Sequence, residues 1–218
     1  MTVVLLPVKG LDCCKQRLAP VLSAVQRREL MWTLYRRTAD VLQRALKHPE
    51  GAVVEVAVVT PDVQIASHAS SLGWTVLQEE GTLCESRSVD WACGKLLASG
   101  AASVLRLPCD LPLLRPEDIS ALCKAEGEAD CLLVPSRSGN GTNALLRTPP
   151  DAFPSRFGPD SRKLHQAEAR RRGIDLRILE LPSVALDLDT RDDLRYFLGA
   201  ARPPHRVLDL LSCWELKP

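Results

Sequence analysis

An apolar run that ends on one acid constrains this chain more than any other feature. Val104–Leu114 reads VLRLPCDLPLL, stopping at Asp110 with Pro108, Pro112 and Pro116 around it. A short Val/Leu run bounded by turn residues reads as a buried strand of a mostly parallel sheet, and such sheets bind ligands beyond the carboxyl ends of their strands. Asp110 sits at such an end. Taken alone, the motif is better read as a carboxylate capping the following turn, and the rest of the chain reverses that preference.

The rest of the chain supplies the sheet. Val3–Val8 reads as the first strand, and Ser23, with Gln26 three residues on, forms a capping box. The helix it opens carries the apolar stripe Leu30, Met31, Leu34, Tyr35, Val41, Leu42, Ala45 and Leu46. Val53–Thr60 is the second strand, a helix from Pro61 to Gly73 follows, Trp74–Leu77 is a short strand, and Glu85–Leu97 is a helix. Pro116 opens another helix and Cys131–Pro135 is a further buried strand. Thr142–Arg147 is expected as an edge strand, and Ser161 as the cap of a helix with Leu164, Ala167 and Arg171 on one stripe. Strands at Leu176–Leu181 and Leu186–Asp189 precede a capping box at Thr190 and Asp193, and a helix through Leu194, Phe197 and Leu198. Alternating strands and helices predict an α/β fold with one mostly parallel sheet flanked by helices. One domain is expected over residues 1–201, followed by a tail at 202–218 docked through Leu210, Leu211 and Trp214.

Composition narrows the function. With 218 residues and 45% hydrophobic content, the chain can bury a full core. Its 28 basic and 27 acidic side chains give a net charge of +1, so no global field attracts nucleic acid or a membrane surface. The eight cysteines contain no C-x-x-C pair and mostly lie in apolar runs, so they read as reduced and structural. Nothing at the start resembles a signal peptide and no apolar run is long enough to span a bilayer, so a cytoplasmic protein is expected.

The chemistry gathers at the strand ends. In LDLDT, Asp187 and Asp189 alternate with Leu186 and Leu188, so on an extended backbone both carboxylates share one face. Like charges there repel unless a cation lies between them. With Asp110 they form the oxygen-rich set that Mg²⁺ takes, completed by substrate phosphates and water. The competing reading gives Asp189 to the helix N-terminus that Thr190 caps, along with Asp192 and Asp193. Lys9, Lys15 and Arg17 follow the first strand and suit a triphosphate, although they would also make a solvated basic loop. Gly141-Thr142 and Gly158-Pro159-Asp160-Ser161 offer a second anion site at a glycine turn and a helix start. His48, His68, His165 and His205 are scattered, and no acyl-transfer triad is apparent. A phosphate nucleophile would need no general base, being anionic at neutral pH.

Five motifs occur in order: PVKGLDCCKQRL at 7–18, PCDLPLL at 108–114, GTNALL at 141–146, FGPDS at 157–161 followed by His165, and LDLDTRDDL at 186–194. Together they resemble the phospholactate guanylyltransferase family, also described as phosphoenolpyruvate guanylyltransferase, over Val3–Leu198. The resemblance implies a single-domain nucleotidyltransferase fold of glycosyltransferase-A type. It also implies a reaction joining GTP to 2-phospho-L-lactate, phosphoenolpyruvate or 3-phospho-D-glycerate, with loss of pyrophosphate, in synthesis of the deazaflavin coenzyme F-420. Asp110, Asp187 and Asp189 would then hold Mg²⁺. Lys9, Lys15, Arg17 and Ser88 would bind the nucleotide, and Thr142, Asn143, Gly158 and Ser161 the acceptor. Catalysis would fall to Asp110, Lys15 and Arg17, and a homodimer is a candidate assembly. Where the family commonly has A-K-S-R-L, this chain has Cys14–Leu18, and Ser86–Asp90 replaces the usual L-N-x-A. Two alternatives stay open: a molybdopterin guanylyltransferase-like enzyme, and a catalytically silent nucleotide-binding regulator.

Overall fold

The computed structural model describes residues 1–47, 53–79, 81, 83–124, 129–200 and 204–214. Seven strands form one sheet: β1 (Thr2–Pro7), β2 (Val53–Thr60), β3 (Thr75–Gln78), β4 (Ser103–Arg106), β5 (Cys131–Pro135), β6 (Thr142–Arg147) and β7 (Leu176–Ile178). Around them lie α1 (Ala24–Leu46), α2 (Val63–Ser71), α3 (Glu85–Ala98), α4 (Pro116–Lys124), α5 (Ser161–Arg171), α6 (Pro182–Ala185), α7 (Arg191–Leu198) and α8 (His205–Cys213). Both capping boxes form as the sequence predicts, Ser23 with Gln26 and Thr190 with Asp193. None of these helices is long and apolar enough to cross a membrane.

The strand order is β3-β2-β1-β4-β6-β5-β7, and every pairing is parallel except those of β6, which runs antiparallel to β4 and β5. Thr142–Arg147 is therefore an interior strand, not the edge strand expected, and all six of its residues are buried. Its reversed direction brings its first residues, Thr142 and Asn143, to the same sheet edge as the carboxyl ends of β4 and β5. The order changes direction between β1 and β4. In an open α/β sheet, that is where the crevice for a ligand forms.

Period-two alternation divides the core. Val4 and Leu6 pack with Tyr35, Leu42, Ile119 and Leu146 on one face, while Val3 and Leu5 pack with Val89, Cys93 and Leu96 on the other. A third cluster joins Leu18, Leu30 and Leu34 to Leu186, Leu188, Phe197, Val207 and Leu211. Through it α8 docks on α1, with Leu210 and Trp214 at the margin. The expected boundary at 201/202 lies outside the described residues.

Several local expectations change. α2 starts at Val63, not Pro61, and Asp62 caps it, its side chain accepting hydrogen bonds from the amides of Gln64 and Ile65. The strand expected at Leu176–Leu181 stops at Ile178, because Pro182 opens α6. Leu186–Asp189 joins no sheet; its one backbone link here is from Leu188 N–H to Asp110 O, 3.2 Å. On α5, Ser161 is the first helical residue and Asp160 precedes it with φ 54°, making no side-chain cap. The buried stripe of α5 is Ser161, His165 and Ala169, and Leu164 is exposed. The seven described cysteine side chains are free thiols, as the sequence predicts.

Candidate active site

A cavity of about 610 Å³ opens at the carboxyl ends of β4 and β5. Arg17, Arg106, Asp110, Thr142, Asn143, Gly158, Ser161, Asp187 and Asp189 are among its lining residues. The sheet thus brings together most of the residues singled out in the sequence. Lys9, Lys15 and Ser88 do not line it.

Lys15 stands directly behind the carboxylates. Its backbone is left-handed (φ 53°, ψ 40°), a conformation that costs a non-glycine residue about 1 kcal/mol. Its side chain is buried; the ammonium bonds Asp110 Oδ2 and lies 3.6 Å from Asp189 Oδ1. Burial alone would push its pKa down, but the charges of Asp110 and Asp189 outweigh that and hold it above the usual lysine range. A cation between carboxylates is thus supplied by this lysine, for Asp110 and Asp189.

Asp189 is also met by Arg17 Nη1 at 3.1 Å, on a side chain that is 72% exposed. Both oxygens of Asp189 therefore face cations. Asp187 is different. Burial, and then the charge of Asp110, raise its pKa to about 6, although Asn143 Nδ2 donates to its Oδ1 at 3.3 Å. Asp110 Oδ1 is buried and has no hydrogen-bond partner. Among the described residues, no three His, Cys, Asp or Glu side chains form a metal cage by themselves. An orphaned carboxylate oxygen beside a second carboxylate that resists ionisation does fit a hard divalent cation, whose remaining positions substrate phosphates and water would fill.

The other wall is braced from behind. Arg106 is buried, and its guanidinium donates to the carbonyls of Thr142 (3.4 Å) and Asn143 (3.1 Å) and to Glu85, over the Phe157 ring at 4.2 Å. Arg147 bonds Asp90 Oδ1 (3.1 Å), Phe153 O (2.5 Å) and Cys93 Sγ (3.1 Å). Asp90 also accepts the Ser155 amide, and Ser86 Oγ the Phe157 amide at 2.8 Å. The altered Ser86–Asp90 segment thus pins the loop at 153–157. His165 is fully buried; its Nδ1 lies 3.0 Å from Thr142 Oγ1, and its Nε2 accepts the Arg156 amide at 2.8 Å.

Two glycines are needed here. Gly158 has φ 122°, and a Cβ on Gly141 would come within 2.6 Å of Ser136 Oγ. Asn143, expected to meet the acceptor, lines the cavity but spends its amide hydrogens on Val184 O (2.9 Å), Ala185 O (2.8 Å) and Asp187. Its nitrogen therefore fixes the LDLD segment. Lys9 lies apart, bonding Ser88 Oγ at 2.7 Å, Leu83 O at 2.6 Å and Glu79 at 3.4 Å. Of the histidines, His48 lies outside the described residues. Sequence reasoning missed Arg106, Arg147, Asp90 and the role of His165. The available signal was a charged residue inside an apolar run, as in VLRLP and ALLRT, since a buried charge is paired or functional.

A switch-point crevice holding carboxylates beside basic residues is the arrangement a nucleotidyltransferase needs. The fold agrees: a nucleotidyl transferase from Methanothermobacter thermautotroptrophicus superposes with a TM-score of 0.61 at 17% identity, covering 89% of this chain and 94% of its own. A family model described as guanylyl transferase CofC-like matches residues 2–199, and the chain belongs to that family. It is 39% identical over 189 residues to a phosphoenolpyruvate guanylyltransferase of Rubrobacter xylanophilus, covering 86% of this chain and 89% of the relative. It is 31% identical over 210 residues to a 3-phospho-D-glycerate guanylyltransferase of Colwellia psychrerythraea, covering 96% and 97%.

Proposed function

We propose that this enzyme transfers GMP from GTP to the phosphate of a small phosphorylated carboxylic acid, with phosphoenolpyruvate as first choice and 3-phospho-D-glycerate and 2-phospho-L-lactate as the competitors. The observation that carries this reading is the Asp110–Asp187 pair with its orphaned oxygen, facing a cavity whose far wall offers Thr142, Gly158 and Ser161. The relatives named for phosphoenolpyruvate and 3-phospho-D-glycerate support the acceptor class.

In this reading an acceptor phosphate oxygen forms a bond to the α-phosphorus of GTP while the α–β bridging bond breaks and pyrophosphate leaves. The nucleophile is already anionic, and the buried His165, its pKa held near 3 by burial and by Arg147, Arg106 and Arg156, is a poor base. Asp110 and Asp187 would hold Mg²⁺, which when bound neutralises charge on the transferring phosphoryl group. Lys15 orients Asp110, Arg17 offers a cation to the nucleotide's phosphates, and the braced β6 wall orients the acceptor. We assign the activity to the cytoplasm. The test is pyrophosphate release with Mg²⁺ and GTP against each acid, with the guanylylated product identified by mass. Release dependent on one acid supports the reading, and no release with any acid from folded protein overturns it in favour of a silent nucleotide-binding regulator.

A further inference from the structure

The buried pair His165–Thr142 has a hydrogen-bond direction that its surroundings decide. A backbone amide can only donate, so the Arg156 N–H at 2.8 Å requires a lone pair on His165 Nε2. A neutral imidazole with a bare Nε2 carries its proton on Nδ1. That proton points at Thr142 Oγ1, 3.0 Å away, and the threonine oxygen accepts it. Turning the ring over would set a carbon against the Arg156 amide, and the ring is wedged between Phe157 and Phe153, with centroids 4.9 and 6.1 Å away. The hydroxyl has a single hydrogen, and Thr142 lines the cavity. With His165 behind it, that hydrogen is left for the cavity.

We propose that His165 is a positioning residue that makes the Thr142 hydroxyl a hydrogen-bond donor into the cavity, so that this wall selects an acceptor-only oxyanion of the substrate acid. The proposal rests on the reading of the β6 wall as the phospho-acid site. It accounts for a histidine that never meets solvent and takes no part in proton transfer. The ring relays direction: one fixed amide on the loop at 156 determines which way a hydroxyl on β6 points, nine residues before the histidine and fourteen after the threonine in sequence.

Two measurements test this. In apo protein labelled with ¹⁵N-histidine, long-range ¹H–¹⁵N correlations report the tautomer; His165 is expected with Nδ1 protonated and Nε2 bare, and the reverse tautomer overturns the proposal. In kinetics, Thr142→Val and His165→Gln are each expected to raise the acceptor KM about 10-fold while leaving the GTP KM within about two-fold, because only a hydrogen bond to a charged group is lost. An asparagine amide can stand where Nδ1 stands, so His165→Asn is expected to recover most of the acceptor KM. A Thr142→Val/His165→Gln double variant should be no worse than Thr142→Val alone. Equal damage to both KM values in the Gln and Asn variants would mean that the histidine only packs, and would overturn the proposal even with the expected tautomer. Should wild-type enzyme turn over none of the acids, the acceptor reading falls and the oxyanion role with it, whereas the tautomer of the apo protein still decides the donor direction by itself.

Discussion

On the β6 side of the cavity the polar groups are held by partners locked into the fold, whereas on the β1 side the cations are paired with carboxylates beside which a charged ligand must insert itself. Arg106 and Arg147 bond main-chain carbonyls, and His165 fixes Thr142, so that wall is tied to the backbone of its own fold. Lys15 and Arg17 instead meet Asp110 and Asp189. Groups paired by charge alone can exchange partners, and groups tied to backbone cannot. In the proposed reaction the first wall would serve preorganised recognition, and the second would accept and release a highly charged leaving group.

The largest expected effect follows from removing the charge that both walls share. Asp110→Asn is expected to lower acceptor-dependent pyrophosphate release by about 1,000-fold, the scale of losing a main electrostatic contact of the transition state; a variant with near-normal turnover would remove Asp110 from the chemistry. Next comes Lys15→Met, which strands half-buried carboxylates without their cation and is expected to lower unfolding free energy by about 3 kcal/mol in urea titrations. Added Mg²⁺ should raise the midpoint of this variant more than that of wild type. On the opposite wall, Asp90→Ala is expected to cost about 2 kcal/mol and to raise the acceptor KM while sparing the GTP KM, since Asp90 is itself partly exposed. Equal damage to both KM values would erase the contrast between the walls.

The fourth prediction concerns pH. The folded-state pKa of His165 is near 3 and an unfolded histidine titrates near 6.5, so between these values the unfolded chain binds a proton that the folded chain refuses. Its contribution to stability is therefore complete above about pH 6.5 and is lost as pH falls toward 3. Comparing unfolding free energies of wild type and His165→Asn from urea titrations at pH 7 and pH 5 should show a shallower acid limb in the variant, by about 2 kcal/mol. The smallest effect is for Arg17→Ala, whose exposed ion pair should change stability by less than about 0.5 kcal/mol.

The alternation of apolar runs and capped helices made the sheet legible in the sequence, because burial on both faces and helix capping are local signals. The position of β6 was not, since an interior antiparallel strand and a buried edge strand present the same residues, and only pairing tells them apart. In LDLD the facing was correct although no strand forms; spacing dictates faces, and hydrogen-bond partners dictate the ladder. Asp110, Asp187 and Thr142 could be singled out because they end or begin apolar runs. The bracing of the β6 wall could not be, since His165 reaches back twenty-three residues to Thr142 and Arg147 reaches back fifty-seven to Asp90. On hydrophobicity alone Leu164 is the better core residue than His165, and the polar partners that bury His165 are remote in sequence.

The two-faced segment at Leu186–Asp189 has a consequence for how the chain tolerates changes of length. Leu186 and Leu188 are keyed into the cluster shared with Phe197, Val207 and Leu211, while Asp187 and Asp189 face the cavity. A substitution at any one of these positions damages one contact, but a single inserted or deleted residue shifts the phase of the whole segment. It would swing the leucines into the cavity and the carboxylates into the apolar cluster beneath α8. Between Asn143, which clamps its start, and Thr190, which caps the next helix, the spacing is as much a part of the site as the carboxylates themselves.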